Sequence, residues 1–158
     1  PEDIHISHSM RPLLHRMQRD EIQVTVNAAF ERVIDLCGTL REEKEGAWLG
    51  PEMKAAYIEL KRRGYASSVE VWEGEELIGG LYGVTVGRGF FGESMFSLKP
   101  NASKIALITL AKFLPQTGIK LIDCQFETEH LKTMGGHYIS YDEYLKIINP
   151  DYYDRKTN

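Results

Sequence analysis

The sequence predicts an α/β domain whose mixed, mostly antiparallel sheet is flanked by helices. Three observations carry this expectation. Two segments before residue 64 place apolar residues at helical spacing, and three alternating segments between 67 and 96 are joined by glycine-bearing turns. A helical segment then leads into a short apolar run starting at Leu121. A strand reached through a helix commonly pairs in parallel, whereas strands joined by tight turns pair antiparallel, so the sheet should contain both kinds of ladder. The expected order is two helices, three strands, a helix, a strand and a helix, all in one domain spanning 1–158.

The segment up to about Glu21 lacks clear periodicity and is expected to be irregular. Thr25 or Asn27 suits the cap of a first helix running to about Leu40, with Val26, Ala29, Phe30, Val33, Ile34 and Cys37 on one face. Gly38 and the charged segment Arg41–Gly46 predict a loop. Pro51 fits the first turn of a second helix and Gly64 its C-terminal cap, with Met53, Ala56, Tyr57 and Leu60 sharing a face. Ser67–Glu73, Leu77–Val86 and Phe90–Phe96 read as a meander turning at Gly74-Glu75 and at Gly87-Arg88-Gly89. Asn101 or Ser103 starts a helix that buries Ala106, Leu107, Leu110 and Leu114 and stops at Pro115 and Gly118. Leu121–Phe126 is the next strand. Ser140 opens a last helix, ended by Asn149-Pro150, and 151–158 form a polar, loose tail.

The chain has 158 residues, enough for one domain with a substantial core, and its composition is that of an ordinary globular protein. No apolar run approaches the length that crosses a bilayer. The first residues are neither basic nor apolar enough for a signal peptide, so the cytoplasm is the expected compartment. Cys37 and Cys124 both lie in apolar stretches and are expected to be reduced, buried thiols. The formal net charge of −4 does not favour a nucleic-acid partner, but Arg11, Arg16 and Arg19 cluster near the start and Lys61-Arg62-Arg63 forms a second basic run. A solvated surface accounts for both clusters on charge alone.

Chemistry concentrates in two segments. In Leu121–Phe126, alternation puts Asp123 and Gln125 on one face and Ile122 and Cys124 on the other. A carboxylate and a carboxamide then project together from an apolar strand, where an unpaired charge is costly; either a catalytic pair or a structural hydrogen-bond network satisfies that. In Gly92–Ser97, Glu93 interrupts an apolar strand and would hold a cationic group or pair with a structural arginine. Met95 is expected on the same strand face as Glu93, lining a pocket or packing in the core. Gly79-Gly80 permits a backbone or ligand to approach closely, and a bulge explains it equally well. Gly87-Arg88-Gly89 precedes a strand and so is no dinucleotide fingerprint. His130 and His137 lack the surrounding ligands a metal needs, and Cys124 lacks an adjacent base.

The ordered set Gly79-Gly-Leu-Tyr-Gly83, Gly92-Glu-Ser-Met-Phe-Ser97, Asn101-Ala-Ser-Lys104 and Lys120-Leu-Ile-Asp-Cys-Gln125 resembles bacterial leucyl/phenylalanyl-tRNA–protein transferases. His5-Ile-Ser and Arg41-Glu-Glu before Trp48 add to it, so the likeness runs from about Pro1 to Leu145. The resemblance implies a GNAT-like acyltransferase fold and an ATP-independent transfer of Leu or Phe from aminoacyl-tRNA. The implied acceptor is a protein with an N-terminal Arg or Lys, which the transfer marks for N-degron proteolysis. It implies no cofactor and no metal.

By the same resemblance Asp123 would orient or polarise Gln125, which positions the attacking α-amine, and Glu93 would hold the acceptor or the terminal ribose. Trp48 would stack on the terminal adenine of the tRNA. Leu81, Phe90, Met95, Leu107, Leu110, Leu114 and Ile122 would line the pocket for the Leu or Phe side chain. Arg11, Arg16 and Arg19 are the candidate tRNA contacts. The family also carries an additional amino-terminal domain, with a second adenine-stacking tryptophan, that has no counterpart in these residues. Two other readings are an acyltransferase using acyl-CoA or another donor, and a peptide-binding remnant. Against the first, Ser97–Ser103 contains no glycine where a pyrophosphate-binding turn would need it.

Overall fold

The computed structural model describes residues 15–17, 19, 21–45 and 50–124, with 41–45 and 124 described by their backbone. The expected helix from Ser140, the tail, Trp48, Gln125, Arg11, His130 and His137 fall outside these residues. The described elements are β1 (Ile22–Val26), α1 (Phe30–Glu45), α2 (Pro51–Arg62), β2 (Ala66–Glu73), β3 (Glu76–Val86), β4 (Gly89–Ser97), α3 (Ala102–Phe113) and β5 (Leu121–Cys124). A short 3-10 turn, Leu114–Thr117, links α3 to β5. The strands form one sheet in the order β1-β2-β3-β4-β5. All pairs are antiparallel except β4 with β5, which is parallel. The mixed sheet and its parallel closing pair thus agree with expectation.

Two boundaries differ. Ile22–Val26 is a strand, not irregular chain or helix start, because Ile22 and Val24 alternate onto the α3 side and pair with Glu73 and Val71. Asn27 then turns the chain with φ of 59°, and α1 begins only at Phe30. That helix also continues through Gly38 to Glu45, where a loop was expected. One glycine costs a helix only about 1 kcal/mol. Burial of Phe30, Val33, Ile34 and Cys37 along α1 offsets that cost.

Both faces of the sheet are covered. On one, α3 packs on β2 and β3 around Val69, Val71, Ile78, Leu81 and Phe90, all at most 1% exposed. Gly79 makes this approach possible: a Cβ there would lie 2.6 Å from the Ala102 side chain and 2.9 Å from its backbone. On the other face, α1 packs through Phe30, Val33, Ile34 and Cys37 against Leu77, Tyr82 and Phe96. Tyr82 joins the helices there, meeting Phe30 edge-on at 6.2 Å and Tyr57 of α2 at 5.2 Å. Helix α2 buries no residue completely, so it lies over the sheet as a wall rather than as core.

Candidate active site

The site is set by an irregularity in β4. Tyr82 pairs with Ser94 and Gly83 with Gly92, which leaves Glu93 as an extra residue in the ladder. Such a bulge breaks the alternation of side chains, so two successive residues face the same way. Phe96 packs with Tyr82 on the α1 side and Met95 packs against the α3 cluster. Counting back from them, Ser94 shares Tyr82's face, and Glu93 shares it too, lining a cleft with α2. Met95 and Glu93 therefore occupy opposite faces of the sheet, contrary to the expectation from simple alternation. The bulge is the physical reason. Gly83 accommodates it: a Cβ there would collide with the Phe91 carbonyl oxygen and approach the Phe90 ring to 2.6 Å.

The cleft has a volume of about 540 Å³. Helix α2 provides one wall through Met53, Ala56, Tyr57 and Leu60. The sheet provides the other through Val84 and Val86 of β3 and Phe91 and Glu93 of β4. Glu93 is the one acid in an otherwise apolar lining. β5 runs beside this edge, with Phe91 paired to Asp123 and Phe90 to Ile122. Ile122 packs against the α3 cluster, so Asp123 projects toward the cleft side, where Phe91 also points. Asp123 is partly buried. Glu93 and Asp123, on neighbouring strands and far apart in sequence, thus border one region.

The expected side-chain pocket gathers elsewhere. Leu81, Phe90, Leu107, Leu110 and Leu114 are all buried in a single cluster under α3, and Met95 and Ile122 pack against it. These seven residues come together on the face opposite the cleft. They form packed core around the splayed end of β4 and β5, the edge on which Glu93 and Asp123 also lie.

The described basic residues are engaged by carboxylates. Arg16 Nε donates to Glu21 at 2.9 Å and its Nη2 lies 3.4 Å from Glu73, while Arg19 lies 3.3 Å from Glu21. Arg62 and Arg63 both reach Glu59, at 2.6 and 2.9 Å. Those two guanidinium groups, Arg62 first, hold the Glu59 carboxyl down at about 2. Each of these arginines would bring less net charge to a phosphate than the sequence count suggests.

One residue was missed. Glu70 of β2 is completely buried, and its Oε1 accepts the Ala28 and Ala29 backbone N–H at 2.6 and 2.8 Å. Its Oε2 accepts the Ser68 hydroxyl at 3.1 Å. A carboxylate from a distant strand thus satisfies the donors at the start of α1, where negative charge is also favoured by the helix dipole. The available signal was a glutamate among valines in a strand with both faces buried.

A mixed sheet whose parallel β4–β5 pair follows α3, with both faces covered by helices, defines an acyltransferase fold of the GNAT type. Solved structures agree. An aminoglycoside acetyltransferase from an uncultured soil metagenomic sample superposes with a TM-score of 0.59, at 10% identity over 77% of this chain and 93% of its own. A GNAT family acetyltransferase of Staphylococcus aureus gives 0.51, at 14% identity over 76% and 93%. The sequence is more specific: residues 1–149 match the family model of leucyl/phenylalanyl-tRNA protein transferase. The chain belongs to that family. Its relatives include the leucyl/phenylalanyl-tRNA–protein transferases of Nitrosomonas eutropha, 46% identical over 148 residues, and Christiangramia forsetii, 47% identical over 151. Each alignment covers 94% of this chain, but 62% and 70% of the respective relatives, so the chain spans roughly two thirds of their length.

Proposed function

We propose that this chain carries the transfer site of a leucyl/phenylalanyl-tRNA–protein transferase. It would move Leu or Phe from aminoacyl-tRNA onto the N-terminal Arg or Lys of a protein, tagging it for proteolysis in the cytoplasm. The observation that carries the reading is the β4 bulge. It turns Glu93 into the α2 cleft, on the same side as Asp123, at the edge where two strands run parallel. Family membership supplies the donor and acceptor classes.

The chemistry is aminolysis of an ester. The acceptor's α-amine nitrogen attacks the aminoacyl carbonyl carbon, a peptide bond forms, and the bond to the tRNA's terminal ribose oxygen breaks. The amine loses a proton and the departing ribose oxygen gains one. The ester is already activated, so fixing the two reactants at attack distance supplies most of the acceleration. Gln125, oriented by Asp123, would hold the amine, while the Glu93 carboxylate attracts the acceptor's cationic end. Trp48 would stack on the terminal adenine, and the cluster of Leu81, Phe90, Met95, Leu107, Leu110, Leu114 and Ile122 would receive the donor side chain. Arg11, Arg16 and Arg19 would contact the tRNA, the latter two by exchanging Glu21 for phosphate. Residues 1–158 would act as one acyltransferase unit.

The test mixes the chain with Phe-tRNA and a peptide beginning with Arg, and follows Phe addition by mass spectrometry. Product from the parent chain that disappears with Gln125→Ala is the expected result. No product at saturating concentrations of both substrates would sink the claim that this chain is sufficient. Acetyl-CoA replaces Phe-tRNA in a parallel reaction, and transfer of acetyl instead would reassign the donor.

A further inference from the structure

The cleft is longer than one charged contact requires. Glu93 lies at its inner part, and Val86 is paired with Gly89, four residues back along β4. At strand spacing that separation is about 13 Å. Between them run Phe91 and Val84, faced by Tyr57 and Leu60. At the outer end Met53 and Val86 are 51% and 53% exposed, an unusual placement for two large apolar side chains facing each other across an open groove.

We propose that this groove binds the acceptor polypeptide beyond its first residue and favours large apolar side chains at its second and third positions. The inference rests on the acceptor reading of Glu93 given above. Charge decides the orientation: the single carboxylate attracts the cationic amino terminus, and the chain that follows leaves along a surface with no charged group in its lining. An extended chain advances about 3.3 Å per residue, so the length from Glu93 to Val86 accommodates the two residues after the first and their side chains. Apolar side chains lose water against Met53, Val84 and Val86, whereas an aspartate there is desolvated beside Glu93 and repelled by it.

The experiment measures binding and transfer separately, using fluorescein-labelled peptides that begin Arg-Leu-Phe, Arg-Gly-Gly or Arg-Asp-Asp. Polarisation gives Kd and product formation from Phe-tRNA gives KM and kcat. Arg-Leu-Phe is expected to bind about tenfold more tightly than Arg-Gly-Gly, with Arg-Asp-Asp weakest and kcat little changed. Met53→Lys and Val86→Lys, at exposed positions that tolerate charge, are expected to reverse the ranking toward Arg-Asp-Asp. Phe113→Lys, on the exposed side of α3, is expected to leave it as it is. Equal affinities for the three peptides, or a ranking unmoved by the two lysines, would overturn the proposal, as would failure of every peptide to bind. Self-association lost in Val86→Lys with no change in peptide ranking would assign the groove to a second copy and overturn it too. Ranked binding without transfer would retain the groove and refute the transfer reading instead.

Discussion

Glu70 illustrates how one side chain sets up a whole helix. Its buried carboxylate takes up both backbone donors ahead of α1 and the Ser68 hydroxyl, and Asn27 Oδ1 adds a bond from the Ser68 N–H at 2.9 Å. Replacing it with alanine strands two buried N–H groups and opens a small void. Glu70→Ala is therefore expected to lose about 2–4 kcal/mol, read as a lower urea midpoint with the slope unchanged. Glu70→Gln, which keeps one acceptor oxygen, should lose clearly less. Glu93 differs in kind, because it lines a cleft. Glu93→Gln is expected to leave the urea midpoint within about 0.5 kcal/mol while transfer to Arg-initiated peptides falls at least roughly tenfold in kcat/KM. Equal losses of stability and activity would make it a structural residue.

At the scale of elements, the bulge and the ion pairs beside it decide what faces what. Gly83→Ala forces a methyl group against the Phe91 carbonyl and the Phe90 ring, and neither can retreat from a packed sheet. The expected cost is about 1–3 kcal/mol. Activity should fall further than stability explains, since the collision sits under the residues that turn Glu93 into the cleft. A second junction joins three segments: Glu73, ending β2, meets Lys99 of the β4–α3 connection at 3.0 Å and Arg16 at 3.4 Å. Lys99 first, then Arg16, holds the Glu73 carboxyl below the usual carboxylate range, although its partial burial acts the other way. A lowered folded-state value means that the pair stabilises the fold fully above the ordinary value of 4.5 and loses that contribution as pH falls through the lowered one. Chemical denaturation between pH 6 and pH 3 should therefore show a shallower acid loss in Glu73→Gln than in the parent chain. Identical slopes would remove the junction from the account.

The whole molecule separates two tasks across one sheet. The apolar cluster beneath α3 holds the residues assigned to the donor side chain, and the opposite face holds the α2 cleft assigned to the acceptor. Met95→Ala should thus change the ratio of Leu to Phe transferred, by several-fold in kcat/KM, with the acceptor KM unchanged. Val86→Lys should change the acceptor KM and leave that ratio alone. A shift in both parameters for either variant would mean that the faces are coupled through β4. Among the described residues no helix is long and apolar enough to cross a membrane.

Much of this was written locally. Alternation and glycine turns marked the meander, Pro51 and Gly64 bracketed α2, and Asn101 with Gly118 bracketed α3 and its final turn, because period and backbone conformation are properties of a few adjacent residues. The ordered motifs in 79–125 were enough to place the chain in its family. What tertiary structure decided was everything that depends on which strand lies beside which. β1 was overlooked because Ile22–Val26 is short and needs β2 as its partner, and α1 outlasted Gly38 because its apolar face is buried. Asp123 joined Glu93 only through the parallel β4–β5 register, and Glu70 found its donors 41 and 42 residues away. The bulge that parts Glu93 from Met95 arises where Gly83 lets β3 and β4 slip by one residue. A count of alternating positions along one strand contains nothing of its neighbour, and the face on which a catalytic carboxylate emerges is settled there.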